Sequence, residues 1–120
     1  MSETHWKREY HKNGQLWTET PYVNGKKHGM ERWYYFSGQL WSEIPYVDGQ
    51  KHGIERWYYD NGQLECEIPY ANGQQHGIEK RYNEDGQLEC TEYYWYDDEL
   101  SKEEWEAIPK LTKLLRGVVE

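Results

Sequence analysis

Three histidines stand at one interval: His28, His52 and His76, each 24 residues from the next. Cys66 and Cys90 share that interval, as do two series of carboxylates, Glu19, Glu43, Glu67 and Glu31, Glu55, Glu79. Histidine with cysteine or carboxylate is the material of a metal site, and paired carboxylates are the material of acid–base hydrolysis. The interval argues against both. If each 24-residue unit is two strands, equivalent side chains lie roughly 9–10 Å apart and run parallel, so they do not converge on one ion. That distance also exceeds the roughly 7 Å between Cα atoms that a disulfide permits. A glycosidase needs one carboxylate pair about 5–9.5 Å apart, not carboxylates repeated by threes. The histidines are expected in turn or stacking roles. The cysteines are expected as small buried side chains at the position filled elsewhere by Thr18 and Ser42. The glutamates are expected to pair with Arg32, Arg56 and Lys80 or to solvate a sheet. No Ser-His-Asp, phosphate-loop or zinc-ligand pattern is present, so no enzyme activity, metal or cofactor is expected.

The elements that must position these residues follow from the repeat. Gly-Gln-Leu recurs at 14–16, 38–40, 62–64 and 86–88; residues 14–37 match 38–61 at 17 of 24 positions. Asn13-Gly14, Asn24-Gly25, Ser37-Gly38, Asp48-Gly49, Asn61-Gly62, Asn72-Gly73 and Asp85-Gly86 punctuate the chain at alternating intervals of 11 and 13. Such pairs tolerate the positive φ of tight hairpin turns, and the Tyr/Trp/Ile/Val-rich segments between them read as antiparallel strands. The fold class expected is an all-β repeat of serial hairpins forming an elongated curved sheet. Its parts are a half unit at 5–13, units at 14–37, 38–61 and 62–85, and a partial unit at 86–96. Leu40, Ser42, Ile44 and Tyr46 share the parity expected to be buried, with Ile54 and Tyr58 joining them in a ladder. Pro21, Pro45 and Pro69 cannot donate to a ladder, so a bend or bulge is expected there. In the segment 97–120, Ser101-Lys-Glu-Glu104 is a capping-box pattern before Trp105, Ile108, Leu111 and Leu115 at helical spacing. Pro109 is expected to kink that helix or start a second one. This acidic segment is expected to be a helical C-terminal cap over the end of the array.

Composition alone points the other way. The 120 residues carry a net charge of −8, and Leu, Ile, Val and Phe make up only 15% of them. Mean hydropathy is −1.23. Those values mark disorder, but 7 Trp and 12 Tyr recurring at fixed positions supply the burial that aliphatics supply elsewhere. No apolar run reaches the roughly 20 residues of a membrane span. Met1 to Lys12 shows no apolar core of a secretory signal. A reduced, cytoplasmic setting is therefore expected.

The unit G-Q-L-x-x-E-x-P-Y-x-[ND]-G-x-x-H-G-x-E-x-x-Y resembles the bacterial variant of the MORN repeat over about residues 5 to 96. Asn24-Gly25, His28-Gly29, Tyr34 and their copies carry the likeness. The resemblance implies a row of β-hairpins without catalytic residues, and bacterial members of this type are often labelled antitoxin-like.

Two features point to a partner. Trp17, Trp33, Tyr35, Trp41, Trp57 and Tyr59 lie on the parity not assigned to the core. Either they form an exposed aromatic stripe or the array closes over them. The second feature is charge: residues 61–120 hold 14 acids against 6 bases, while residues 1–60 are balanced at 8 and 8. Asp97, Asp98, Glu99 and Glu103 belong to its densest stretch. A basic protein partner is expected, with antitoxin or immunity-type binding as the sharper form, because this field repels nucleic acid and anionic membrane. Two rivals stand beside it: carbohydrate or choline-type binding by exposed rings, and a scaffold that self-associates through its terminal strands.

Overall fold

The structure, a computed structural model, describes residues 3–119; Met1, Ser2 and Glu120, at the ends of the two segments, lie outside the described residues. Each 24-residue unit contributes one long strand, one two-residue strand and one strand of six. The long strands are β2 (Leu16–Val23), β5 (Leu40–Val47), β8 (Leu64–Ala71) and β11 (Leu88–Trp95). The short ones are β3 (Lys26–Lys27), β6 (Gln50–Lys51) and β9 (Gln74–Gln75). The six-residue strands are β4 (Gly29–Tyr34), β7 (Gly53–Tyr58) and β10 (Gly77–Tyr82), with β1 (His5–Tyr10) preceding them all and β12 (Asp98–Leu100) closing the sheet. They make one antiparallel sheet in the order β1-β2-β4-β5-β7-β8-β10-β11-β12, the short strands pairing beside the long ones. The sheet thus runs beyond residue 96 to Leu100, through a fourth hairpin turn in which Tyr96 and Asp97 hold φ of 46° and 71° without a glycine.

The register moves the expected faces. At each junction the long strand carries one extra residue: Trp33 pairs with Ser42 and Tyr34 with Leu40, so Trp41 bulges out. The same shift occurs opposite β1, β7 and β10. The bend therefore comes at Trp17, Trp41, Glu65 and Glu89 and not at the prolines. Beyond a bulge the parity inverts. Ser42 and Ile44 are buried as expected, but Leu40 falls on the opposite face with Tyr34. Ile44 pairs with Glu31, and Ile68 with Glu55, so Ile54 and Tyr58 lie on the reverse face from Ile44. The expected single ladder of Leu, Ile and Tyr does not form.

The prolines act instead through the His-Gly pair. Pro21 is fully buried, its carbonyl accepts the His28 N–H at 3.0 Å, and Gly29 sits on its ring. His52 with Pro45 and His76 with Pro69 repeat that bond. This is where the pairing of each long strand passes from the short strand to the six-residue strand.

At the C-terminus the capping box forms: Ser101 Oγ accepts the Glu104 N–H and Glu104 accepts the Ser101 N–H. Helix α1 (Lys102–Ala107) ends before Pro109, which opens α2 (Lys110–Leu115). Trp105 is buried against Tyr93 and Trp95, with the Lys113 ammonium 4.6 Å from its ring. Leu111 and Leu115 do not join that cap. They are 66% and 76% exposed, because Pro109 turns α2 so that Lys113 faces inward.

Candidate functional site

One face of the sheet collects the aromatic residues. The bulge turns Trp17 and Trp41 onto the face of Thr18, Ser42 and Ile44, where Trp33 and Trp57 already project by register. Their rings meet in one row. Trp17 to Trp33 is 5.8 Å, Trp33 to Trp41 is 6.2 Å and Trp41 to Trp57 is 5.6 Å, each close to perpendicular. Tyr35 stacks on Trp41 at 5.3 Å, and His11 with Phe36 extends the row beyond Trp17. All four tryptophans are half-buried, so the row is neither a free stripe nor closed over. Edge-to-face packing covers much of each indole face with the next ring's edge.

Buried carboxylates fix the row. Glu31 accepts the Trp33 Nε1–H and Glu55 the Trp57 Nε1–H; Lys27 reaches Glu31 at 2.9 Å and Lys51 reaches Glu55. Burial pushes the Glu31 carboxyl up. The bonds from Trp33, Lys27 and Thr20 outweigh it and hold the group below its ordinary value. In the third unit Gln75 replaces the lysine and Arg81 pairs with Glu79 at 3.1 Å. These glutamates are structural anions, each already carrying a cation. Glu19, Glu43 and Glu67 interleave on the reverse face with Arg8, Arg32 and Arg56.

The other repeated polar groups are brackets between units. The Nδ1 atoms of His28, His52 and His76 accept the N–H groups of Asp48, Asn72 and Tyr96. Tyr35 and Tyr59 hydroxyls donate to the carbonyls of Tyr58 and Tyr82. Both tyrosines thus keep their hydroxyls occupied within the array. Among the described residues no three His, Cys, Asp or Glu side chains are placed to hold a metal ion. Cys66 is buried, which pushes its thiol up to about 11. Cys90 is exposed, contrary to expectation, because the strand that would cover it is replaced by α1.

Two acidic residues in the row are visible in the sequence only once the bulge is known. Glu65 and Glu89 occupy the place of Trp17 and Trp41, 24 and 48 residues on. Glu65 shares a shallow groove with Trp41, Trp57 and Arg81, and Glu89 is exposed. The row thus changes along the sheet from aromatic to acidic. Asp97, Asp98, Glu99 and Glu103 are exposed but stand elsewhere. Asp97 and Asp98 occupy the edge that carries the Asn24, Asp48 and Asn72 turns, whereas Trp17 and Trp41 adjoin the opposite edge. Glu103 lies in the first turn of α1. The sheet does not join these acids to the tryptophans.

The sequence model of the MORN repeat variant matches residues 7–24, 27–48, 51–72 and 75–97. No curated protein matches the chain. Among solved structures, it resembles part of the crystal structure of accessory secretory protein 1,2 and 3 in Streptococcus pneumoniae. Identity is 20% and the TM-score 0.45, over 73% of this chain and 17% of that one.

Proposed function

The chain belongs to the MORN repeat variant family, and from that premise we propose that it is a non-catalytic module that holds a basic protein partner in the cytoplasm, in the manner of an antitoxin or immunity protein. Repeats of this family serve in general as protein- or membrane-binding modules without an enzymatic activity of their own. No described helix is long and apolar enough to cross a membrane. The observation that carries the reading is the single row from Trp17 through Trp41 and Glu65 to Glu89. It offers rigid aromatic contact at one end and unpaired carboxylates at the other, the chemistry that takes apolar and cationic side chains together. The C-terminal acids, off the row, contribute long-range attraction that orients and speeds encounter.

The edge-to-face geometry favours protein side chains over sugars, since a sugar ring needs an open indole face to stack on. The test is affinity capture from the native host at low and high salt, with partners identified by mass. One stoichiometric basic protein is expected. Its binding should weaken steeply with salt, and charge reversal at Asp97, Asp98 and Glu99 should slow its association. Salt-independent capture would sink the reading.

A further inference from the structure

The repeat leaves two complementary strand edges without partners among the described residues. Within the array, every long strand receives the next six-residue strand through the same two pairs. Thr18 opposes Trp33 and Glu19 opposes Arg32; Ser42 and Glu43 meet Trp57 and Arg56; Cys66 and Glu67 meet Arg81 and Lys80. At β11 the series stops. β12 pairs with Tyr93–Trp95, and the next residues form α1, with Trp105 against Tyr93 and Trp95. Leu88, Glu89 and Cys90 remain exposed, where their counterparts Leu64 and Glu65 are half-buried and Cys66 is buried. At the other end β1 pairs with β2 alone, and all six of its residues are exposed. β1 is by sequence the equivalent of β4 and β7, so one end lacks the strand type that the other end displays.

We propose that the chain assembles head to tail, the open edge of β11 taking β1 of a second copy in the register that joins units within the chain. Cys90 then opposes Glu9 of the second copy, and Thr91 opposes Arg8. Charge favours this pairing at Lys7 and opposes it only at Glu9, which neighbours Glu89; Lys7 pairs with Glu9 within β1 at 3.5 Å, and Glu92 accepts the Tyr94 hydroxyl. Lys7 occupies the place of Glu31, Glu55 and Glu79, and the residue that meets it is Glu92, at the place of Thr20, where Thr20 Oγ1 bonds Glu31 at 2.8 Å. An edge carrying Lys7 and Arg8 repels most strands, but β11 and its turn carry Glu84, Asp85, Glu89 and Glu92. Both open edges also expose apolar side chains, Trp6 and Tyr10 at 44% and 59% on β1 and Leu88 at 54% on β11, although Phe36 and Val47 within the array are exposed as well. The contact is heterologous, so it extends a row of copies and does not close a dimer by symmetry.

Sedimentation velocity of the 120-residue chain across a concentration series tests this, without any foreign partner. Mass is expected to rise with concentration past the dimer and to fall at high salt. Lys7→Glu should weaken association about fivefold, and Lys7→Glu with Glu92→Lys should restore it. Glu9→Trp, which removes a like-charge neighbour of Glu89 and restores the residue found at 33 and 57, should strengthen it. A strict monomer at all concentrations overturns the proposal. So does a closed dimer, or a Lys7→Glu effect that Glu92→Lys leaves uncorrected.

Discussion

His76 joins the last complete repeat to the C-terminal tail: its Nδ1 accepts the N–H of Tyr96 at 3.1 Å while its Nε2 meets the Arg116 carbonyl at 2.8 Å. The Tyr96 N–H requires a lone pair on Nδ1, which places the ring proton on Nε2, where it donates to Arg116. The ring is also stacked on Tyr96, 4.0 Å between centroids. A second proton would set two N–H groups against each other and break the bracket.

Burial lowers the His76 pKa, and the Arg116 carbonyl offsets only part of that. A depressed histidine favours folding in its neutral form. Its contribution is present above the ordinary value of about 6.5 and lost as pH falls through the lower folded value. Urea midpoints are expected to drop as pH falls below the ordinary histidine value of about 6.5, and His76→Gln should flatten that step. A wild-type midpoint unchanged over this fall in pH counts against the bracket.

Gly77 gives a second prediction. Its φ is +132°, and a Cβ there would stand 2.8 Å from Pro69 Cγ. Gly77→Ala carries a backbone cost of about 1–3 kcal/mol and must also displace a proline ring that cannot swing away. Gly14, with φ +87° and nothing within 4 Å, bears the backbone cost alone. Denaturation midpoints should therefore fall further for Gly77→Ala than for Gly14→Ala.

Much of this was legible in the sequence, and the failures have one cause. Asn-Gly and Asp-Gly pairs carry their turn in their own backbone preference, so the strands could be placed from local chemistry. The face of Trp41 could not, because it depends on an extra residue opposite Trp33, a property of the pairing and not of either strand. Once Trp41 is turned, Leu40 and Ile44 separate, and Glu65 becomes the successor of a tryptophan. Cys90 and Leu111 fail similarly. Their exposure follows from α1 taking the place of a strand and from Pro109 rotating α2.

Glu31 is 3% exposed and binds Lys27, Trp33 and Thr20. Glu31→Gln keeps the shape and removes the charge, so about 1–3 kcal/mol should be lost at neutral pH. The group's folded pKa is lowered from 4.5, so its contribution is present above that value and lost as pH falls through the folded one. The gap between wild type and variant should close in strongly acidic solution, as read by thermal or urea unfolding. A gap of constant size would mean that the charge contributes nothing.

Glu65 separates stability from binding. Tyr35 stacks on Trp41 at 5.3 Å with 27° between planes, and Tyr59, one unit on, has Glu65 in the place of that indole. The Tyr59 hydroxyl is held by the Tyr82 carbonyl at 2.7 Å, so its ring is already positioned to receive one. Glu65→Trp should extend the row past Trp57 and raise stability by about 0.5–1.5 kcal/mol. The same change removes the carboxylate that the row presents to a cationic side chain, so capture of the basic partner should fall as the unfolding midpoint rises. A variant that is destabilised shows that the slot beside Tyr59 is not open to a ring. One that is stabilised but binds the partner unchanged removes Glu65 from the binding surface.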